Sequence, residues 1–356
     1  MKRHLRTLLG VAVTVVLLAW TLRGVSPAAV LHDLGGANFL LLGVATLVAF
    51  GGLAIRAVRW GVLLLPAAPR TGFRPRFASV VVGFAANNLI PARVGEFARA
   101  FSLARLTPVP IGASLATLVV ERVFDAFALV VLLFVAMASA GVPAGGSVGG
   151  VDPRDAAQFI ALAMAGVAIL LFLLVLAPER SMSIGEAVTG RVLPRRVRAP
   201  VVGLMRSFVG GLAVLRSGRL FALSLVLAFV QWLFTALSFV VAFSAFGIHR
   251  VPFAGAVFLQ SLVSLAVAVP SSPGFFGPFE AAARLGLALW GVPSDRAVSF
   301  AIGLHLSGFI PVTLLGLYYV WRLKLSWSAV RHGGEALEDA ARGDAPPPGA
   351  AMSESL

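Results

Sequence analysis

The sequence predicts an all-α polytopic membrane protein, and three observations predict it. Hydrophobic residues make up 59% and charged residues 12% of the 356 positions. A soluble domain runs nearer 45–50% apolar and about 25% charged. The mean hydropathy is +0.94, and the apolar residues gather into runs near the roughly 20 residues that cross a hydrocarbon core. Between these runs the arginines collect in a few clusters, the pattern that sets orientation in a bilayer.

Composition also excludes whole classes. Disorder needs low hydrophobicity and high charge density, the reverse of what is found. There is no cysteine, so disulfide frameworks, thiolate metal sites and cysteine nucleophiles are absent. Net charge is +14, from 29 basic and 15 acidic residues. In a membrane chain this reads as cytoplasmic-side charge touching anionic lipid, not as a nucleic-acid surface.

Six long apolar stretches are expected to span: 7–22, 38–55, 112–139, 156–177, 220–246 and 297–321. The first follows Lys2, Arg3 and Arg6 and ends near Ser26-Pro27-Ala28-Ala29. That arrangement also fits a secretory signal peptide, but Arg23 just before the small residues favours an uncleaved helix. Two further apolar segments are interrupted by Pro and Gly, which end helices. One is 77–105, broken at Pro91; the other is 253–290, broken through 270–278.

Charge placement then fixes the expected topology. The N-terminus, 56–76 (Arg56, Arg59, Arg70, Arg74, Arg76), 178–219 and the tail hold most of the basic residues and are placed in the cytoplasm. Both ends of the broken segment 77–105 then lie inside, and both ends of 252–292 outside. Each reads as a re-entrant helical hairpin. The expectation is about six transmembrane helices plus two re-entrant hairpins, with the N- and C-termini cytoplasmic.

The broken segments resemble each other. Pro91-Ala-Arg-Val-Gly95 matches Pro273-Gly-Phe-Phe-Gly277 in spacing, and an acid follows each, Glu96 and Glu280. Each hairpin lies between two spans, giving units 38–139 and 220–321 of opposite sense. This is an inverted-topology repeat, an arrangement in which broken helices build a site near the midplane. A basic cytoplasmic linker, 178–219, joins the units within a membrane domain spanning 1–330. It carries apolar residues at helical spacing (Val202, Met205, Val209, Leu212, Leu215) and suits a membrane surface. The tail 331–356 lacks apolar periodicity and reads as disordered.

Charges at membrane depth cost about 2.5–3.5 kcal/mol each and usually mark function. Around the first break stand Asn87, Asn88, Pro91, Arg93, Glu96 and Arg99. Arg93, Glu96 and Arg99 are three apart and share a helical face. Pro91 suits the first position of a half-helix, whose N-terminus favours an anion. Two readings stand: a phosphate or other anionic head-group site, or a self-neutralising staple. Next come Glu121, Arg122 and Asp125, with Glu121 about 14 Å into its span. Arg122 can pair with Asp125, and the acids can neutralise Arg93 or Arg99, carry a proton, or hold the bundle together. In the second unit Ser271, Ser272, Gly274 and Gly277 expose hydroxyls and backbone at the break. Glu280 and Arg284 are spaced to pair. His305, inside the last span, suits either a proton carrier or a packing residue, and Gln231 and Trp232 are weaker candidates. The His-Glu-x-x-His, Gly-x-Ser-x-Gly, P-loop and Gly-x-Gly-x-x-Gly motifs are absent. No catalytic residue, cofactor or metal is expected.

These residues carry a family resemblance. The segments 87–100 (Asn-Asn-Leu-Ile-Pro-Ala-Arg-Val-Gly-Glu-Phe-Ala-Arg-Ala), 121–125 (Glu-Arg-Val-Phe-Asp) and 269–280 (Val-Pro-Ser-Ser-Pro-Gly-Phe-Phe-Gly-Pro-Phe-Glu) resemble the flippase-like domain. This is also called the lysylphosphatidylglycerol synthase transmembrane region, known from the N-terminus of MprF proteins and from stand-alone YbhN-like proteins. The resemblance covers about 5–325. It implies a bacterial plasma-membrane domain with two re-entrant hairpins that moves phospholipid or a lipid-linked intermediate between leaflets. MprF-type proteins add a soluble aminoacyl-transferase domain, and only a short tail follows the last span here, so lysylphosphatidylglycerol synthesis is not implied.

The expected function is thus a lipid translocator. Its partners are membrane lipids with anionic or lipid-linked head groups, and a homo-oligomer is compatible. The alternatives are a membrane enzyme or subunit acting on polyprenyl-linked sugars, for which Asp33, Asp152 and Asp155 are the only outer-loop acids, and a regulatory partner of a membrane enzyme.

Overall fold

The computed structural model describes residues 2–68, 71–90, 94–139, 178–192, 212–268 and 273–325, with scattered residues between 198 and 209. The described residues are helical with no strand. The expected span 156–177, the loop 141–155, the tail, and Pro91, Arg93, Ser271 and Ser272 lie outside them.

Eleven α-helices are described: α1 Lys2–Thr21, α2 Pro27–Gly35, α3 Phe39–Leu64, α4 Phe73–Leu89, α5 Gly95–Leu106, α6 Ile111–Ser139, α7 Pro178–Val192, α8 Gly218–Ala245, α9 Phe253–Ala266, α10 Pro278–Ala288 and α11 Ser294–Arg322. Their starts follow local chemistry. Ser26, Asn38 and Ser217 each accept a backbone N–H from the first turn of α2, α3 and α8, the usual N-cap role of short polar side chains. Helices α3, α8 and α11 are long and apolar enough to cross a membrane. Their outward faces carry bare apolar side chains such as Leu40, Val226 and Leu314, and Tyr318, Trp321 and Arg322 gather at the end of α11, suiting a membrane–water interface.

Helix α3 does not stop at residue 55. It runs to Leu64 and buries Arg56 and Arg59, which corrects their assignment to a cytoplasmic loop. Apolar side chains continue past both arginines, and the guanidinium groups find carboxylates inside the bundle.

The two broken segments each form a pair of short helices, α4–α5 and α9–α10, whose members pack together. Contacts between the helices of 39–139 and those of 218–322 follow a matched pattern. Helix α3 packs on α8; α4 packs on α11, and α9 packs correspondingly on α6. Each helix pair therefore leans on the long helix that follows the other pair. The second break touches α4, and Asn88 Nδ2 donates to Thr313 Oγ1 at 2.8 Å.

One apolar core lies around Trp60, Leu63, Val80, Leu103 and Phe124. Leu212 and Val214, at the end of the basic linker, are buried in it, so this part of the linker packs into the bundle instead of lying on a surface. A second core lies around Phe239, Phe243 and Phe300. Helix α1 is docked on α10, where Thr14 Oγ1 donates to the Phe276 carbonyl at 3.0 Å.

Candidate functional site

The first hairpin delivers a charged side chain into the bundle. Asn87 Oδ1 accepts the Gly95 N–H at 2.8 Å, so its amide holds the start of α5 against α4. A Cβ on Gly83 would lie 2.8 Å from the Gly95 carbonyl oxygen, and the two helices touch through bare backbone. This contact turns Arg99 inward, where it is 4% exposed.

Arg99 meets Glu121 of α6 through two bonds, Nη1 to Oε1 at 2.7 Å and Nη2 to Oε2 at 2.8 Å. The fork-on-carboxylate geometry is the strong, orienting form of this pair. Its guanidinium also lies 4.0 Å from the centroid of Trp60, whose indole N–H donates to Thr117 at 3.0 Å. From α3, Arg56 reaches Glu121 at 2.8 Å and Asp125 at 3.1 Å, and Arg59 reaches Asp125 at 2.6 Å. Arg122, half exposed, lies 3.4 Å from Glu121, 3.7 Å from Asp125 and 4.0 Å from Glu96.

Four guanidinium groups thus meet three carboxylates, so positive charge is in excess. Glu121 and Asp125 are spent on the arginines. Among the described residues, Arg59 Nε, Arg59 Nη1 and Arg99 Nε are buried with no hydrogen-bond partner. A buried donor without a partner is costly, so the cluster still offers N–H groups to an acceptor. The excess reverses the expectation for Glu121, Arg122 and Asp125 taken alone, which carry net negative charge. Arg99 pairs with Glu121, and Glu96 faces Arg122 instead of completing a stripe with Arg99.

Arg56 and Arg59 are the residues that sequence reasoning missed. Their signal was present: they are three apart, sharing a helical face, and the run Trp60 to Leu65 after them is apolar.

The second unit builds a different centre. Glu280 does not pair with Arg284. Its Oε2 accepts the Gly277 N–H at 2.7 Å and its Oε1 lies 2.6 Å from His305 Nδ1. Arg284 instead donates to the Trp20 and Thr21 carbonyls at the end of α1. Unsatisfied helix-end carbonyls attract a cation, and the buried Glu280 carboxylate is already engaged by Gly277 and His305. His305 Nε2 lies 2.8 Å from the Gly274 carbonyl, and Phe279 and Phe276 flank its ring with centroids at 4.3 and 4.6 Å. Trp232 borders the first cluster, its ring 5.9 Å from Arg56; its Nε1 and the Oε1 of Gln231 are buried without partners among the described residues. No group of His, Asp and Glu able to hold a metal occurs among the described residues.

Long apolar helices with outward apolar faces and a buried ionic cluster define a membrane-embedded helical protein. The chain belongs to the lysylphosphatidylglycerol synthase TM region family, which matches residues 7–316. It is similar to a UPF0104 membrane protein of Methanothermobacter thermautotrophicus, 24% identical over 90% of this chain and 93% of that protein. It is also similar to the glycosyltransferase AglD of Haloferax volcanii, 26% identical over 88% of this chain but 54% of that protein. A shorter match joins it to the UPF0104 membrane protein MJ1078 of Methanocaldococcus jannaschii, 25% identical over 66% of this chain and 93% of that protein. No solved structure matches at a significant level.

Proposed function

We propose that the protein is a lipid translocator that moves a lipid with an anionic head group, a phospholipid or a lipid-linked intermediate, between leaflets. The observation that carries this reading is the buried excess of guanidinium over carboxylate, with N–H groups of Arg59 and Arg99 left unbonded. A phosphate supplies both the missing charge and the missing acceptors. Half-exposed Arg122 offers the first contact on entry. In the same reading Asn87, Asn88, Glu96, Gly274 and Gly277 are proposed to take part in substrate binding, as are Pro91, Arg93, Ser271 and Ser272 from their place in the sequence.

The matched packing of α4 on α11 and α9 on α6 supports two inverted units, each with a re-entrant hairpin; the placement of the arginine clusters is what supports about six spans with both termini in the cytoplasm of a plasma membrane. Irregular backbone at membrane depth survives where protein or a wet cavity surrounds it, which the contact between the second break and α4 provides.

The test is head-group-labelled lipid exchange in proteoliposomes. Wild type is expected to exceed empty vesicles for anionic lipids. Arg59→Gln is expected to lose the gain while remaining monodisperse. Wild-type exchange no faster than empty vesicles, across anionic phospholipids and polyprenyl phosphates, would overturn the reading.

The likeness of this chain to about half of a protein named a glycosyltransferase favours a second reading, a membrane component of lipid-linked glycan processing. In that case polyprenyl-linked sugars would be bound or turned over in preference to phospholipid, and the exchange assay run with both lipid classes separates the two.

A further inference from the structure

The bonds around His305 fix its protons. A carbonyl oxygen only accepts, so His305 Nε2, 2.8 Å from the Gly274 carbonyl, carries a hydrogen. The other ring nitrogen lies 2.6 Å from Glu280 Oε1. Two lone pairs facing at that distance in a buried site would repel, so the contact has the geometry of a proton shared between Nδ1 and Oε1. With that proton, on the ring or on the carboxyl, the pair would hold one more than a neutral histidine beside a carboxylate.

That proton spans a joint. His305 belongs to α11, whereas Glu280, Gly277 and Gly274 belong to the second break and the start of α10. Gly274 and Gly277 have φ of +75° and +96°, and Phe275 has φ of +61°, a region unfavourable for an aromatic residue. The break is thus a strained turn, held to α11 through the His305–Glu280 and His305–Gly274 contacts.

We propose that His305 and Glu280 form a one-proton binding site that locks the second hairpin, and that release of the proton frees the hairpin and couples lipid movement to protons. The lipid half of this proposal rests on the translocator reading; the proton lock does not.

Other ionisable groups on the surrounding helices are occupied elsewhere or stand at helix ends. Arg284 of α10 is bonded to α1 carbonyls, and Asp295 of α11 accepts the Ser26 N–H. Arg296 is in the first turn of α11, and Arg322, at its other end, bonds Tyr318. On α2, His32 and Asp33 face each other at 3.9 Å. Arg56 and Arg59 of α3 serve Glu121 and Asp125. Arg76 of α4 bonds the Gly72 carbonyl, and Arg74 stands beside it in the first turn. Arg219 is in the first turn of α8. Helix α9 and residues 12–21 of α1 carry none. Among the described residues, His305 and Glu280 have only each other as ionisable partners.

Glu280→Gln separates the proposal from a packing role. The amide donates to Nδ1 and its carbonyl oxygen accepts from Gly277, so both bonds persist without a shared proton. His305→Asn is a second variant, because its amide N–H donates to Glu280 without an imidazole, though the bond to the Gly274 carbonyl is lost. Hydrogen–deuterium exchange of 273–288 in nanodiscs, corrected for the intrinsic rate, is expected to rise with pH in wild type and stay flat in both variants. Protection of α3 and α6 reports that each variant is folded. Identical pH profiles in wild type and a folded variant would overturn the proton lock. In proteoliposomes, wild-type lipid exchange is expected to rise by up to about tenfold per pH unit across the transition, the slope of one proton, and Glu280→Gln to show no slope. A wild-type slope of zero with exchange present overturns the coupling. No exchange at any pH, with the deuterium difference intact, overturns the translocator reading and leaves the lock standing.

Discussion

Gly83 and Gly95 face each other across the first hairpin with no room for a methyl group between them. Their bare contact sets the spacing of α4 and α5, and with it the position of Arg99 beside Glu121 and Trp60. Adding Cβ at either position forces helix against helix. Gly83→Ala is expected to destabilise the protein by about 1–3 kcal/mol, the usual cost of overpacking, read as a lower thermal midpoint in detergent. An unchanged midpoint would show that the hairpin is not closed in this way.

Glu121 and the outermost arginine of the cluster differ sharply in burial. Glu121 is fully buried and bonded by Arg56 and Arg99, so Glu121→Gln strands buried positive charge. The expected loss is about 3–5 kcal/mol. Arg122→Ala, at a half-exposed position, is expected to cost under about 1 kcal/mol. Equilibrium unfolding of the two variants in one detergent checks the ranking.

Arg284 ties the second hairpin to α1 through the Trp20 and Thr21 carbonyls, with its guanidinium 5.2 Å from the Trp20 ring. Arg284→Ala is expected to cost about 1 kcal/mol and to raise deuterium uptake in residues 12–21 well before the rest of the chain. Uptake that rises uniformly, or nowhere, would contradict the docking of α1.

The absence of cysteine gives a clean background for cross-linking. Asn88 and Thr313 touch through their side chains at 2.8 Å, so the double variant Asn88→Cys, Thr313→Cys is expected to be bridged by a short thiol-reactive linker. The single variants should not be. A failure of the double variant to bridge would refute the packing of α4 on α11.

Local order was readable in the sequence, and long-range pairing was not. Pro and Gly marked both breaks because they end helices wherever they stand, and α4–α5 and α9–α10 fall where those residues predict. Arg56 and Arg59 were misplaced because a hydropathy reading ends a span at its first charge, while burial depends on partners far along the chain, here Glu121 and Asp125. The i,i+4 spacing of Glu280 and Arg284 suggested a pair for the same reason: a single sequence shows neighbours on a helix but not His305 or the end of α1. Pro91, Arg93, Ser271 and Ser272 lie outside the described residues.

The first ionic cluster draws all its members from one unit: Arg56, Arg59, Glu96, Arg99, Glu121, Arg122 and Asp125 lie on α3, α5 and α6. The histidine centre likewise draws on the second unit alone. The counterions of these buried charges, which would be costly to leave unpaired in hydrocarbon, therefore lie in the same half of the chain. What waits for the second half is mostly apolar, α3 on α8, α4 on α11 and α6 on α9. Apart from the one guanidinium in excess, the buried charges of each centre are paired within one half of the chain, and joining the halves becomes mainly a packing problem.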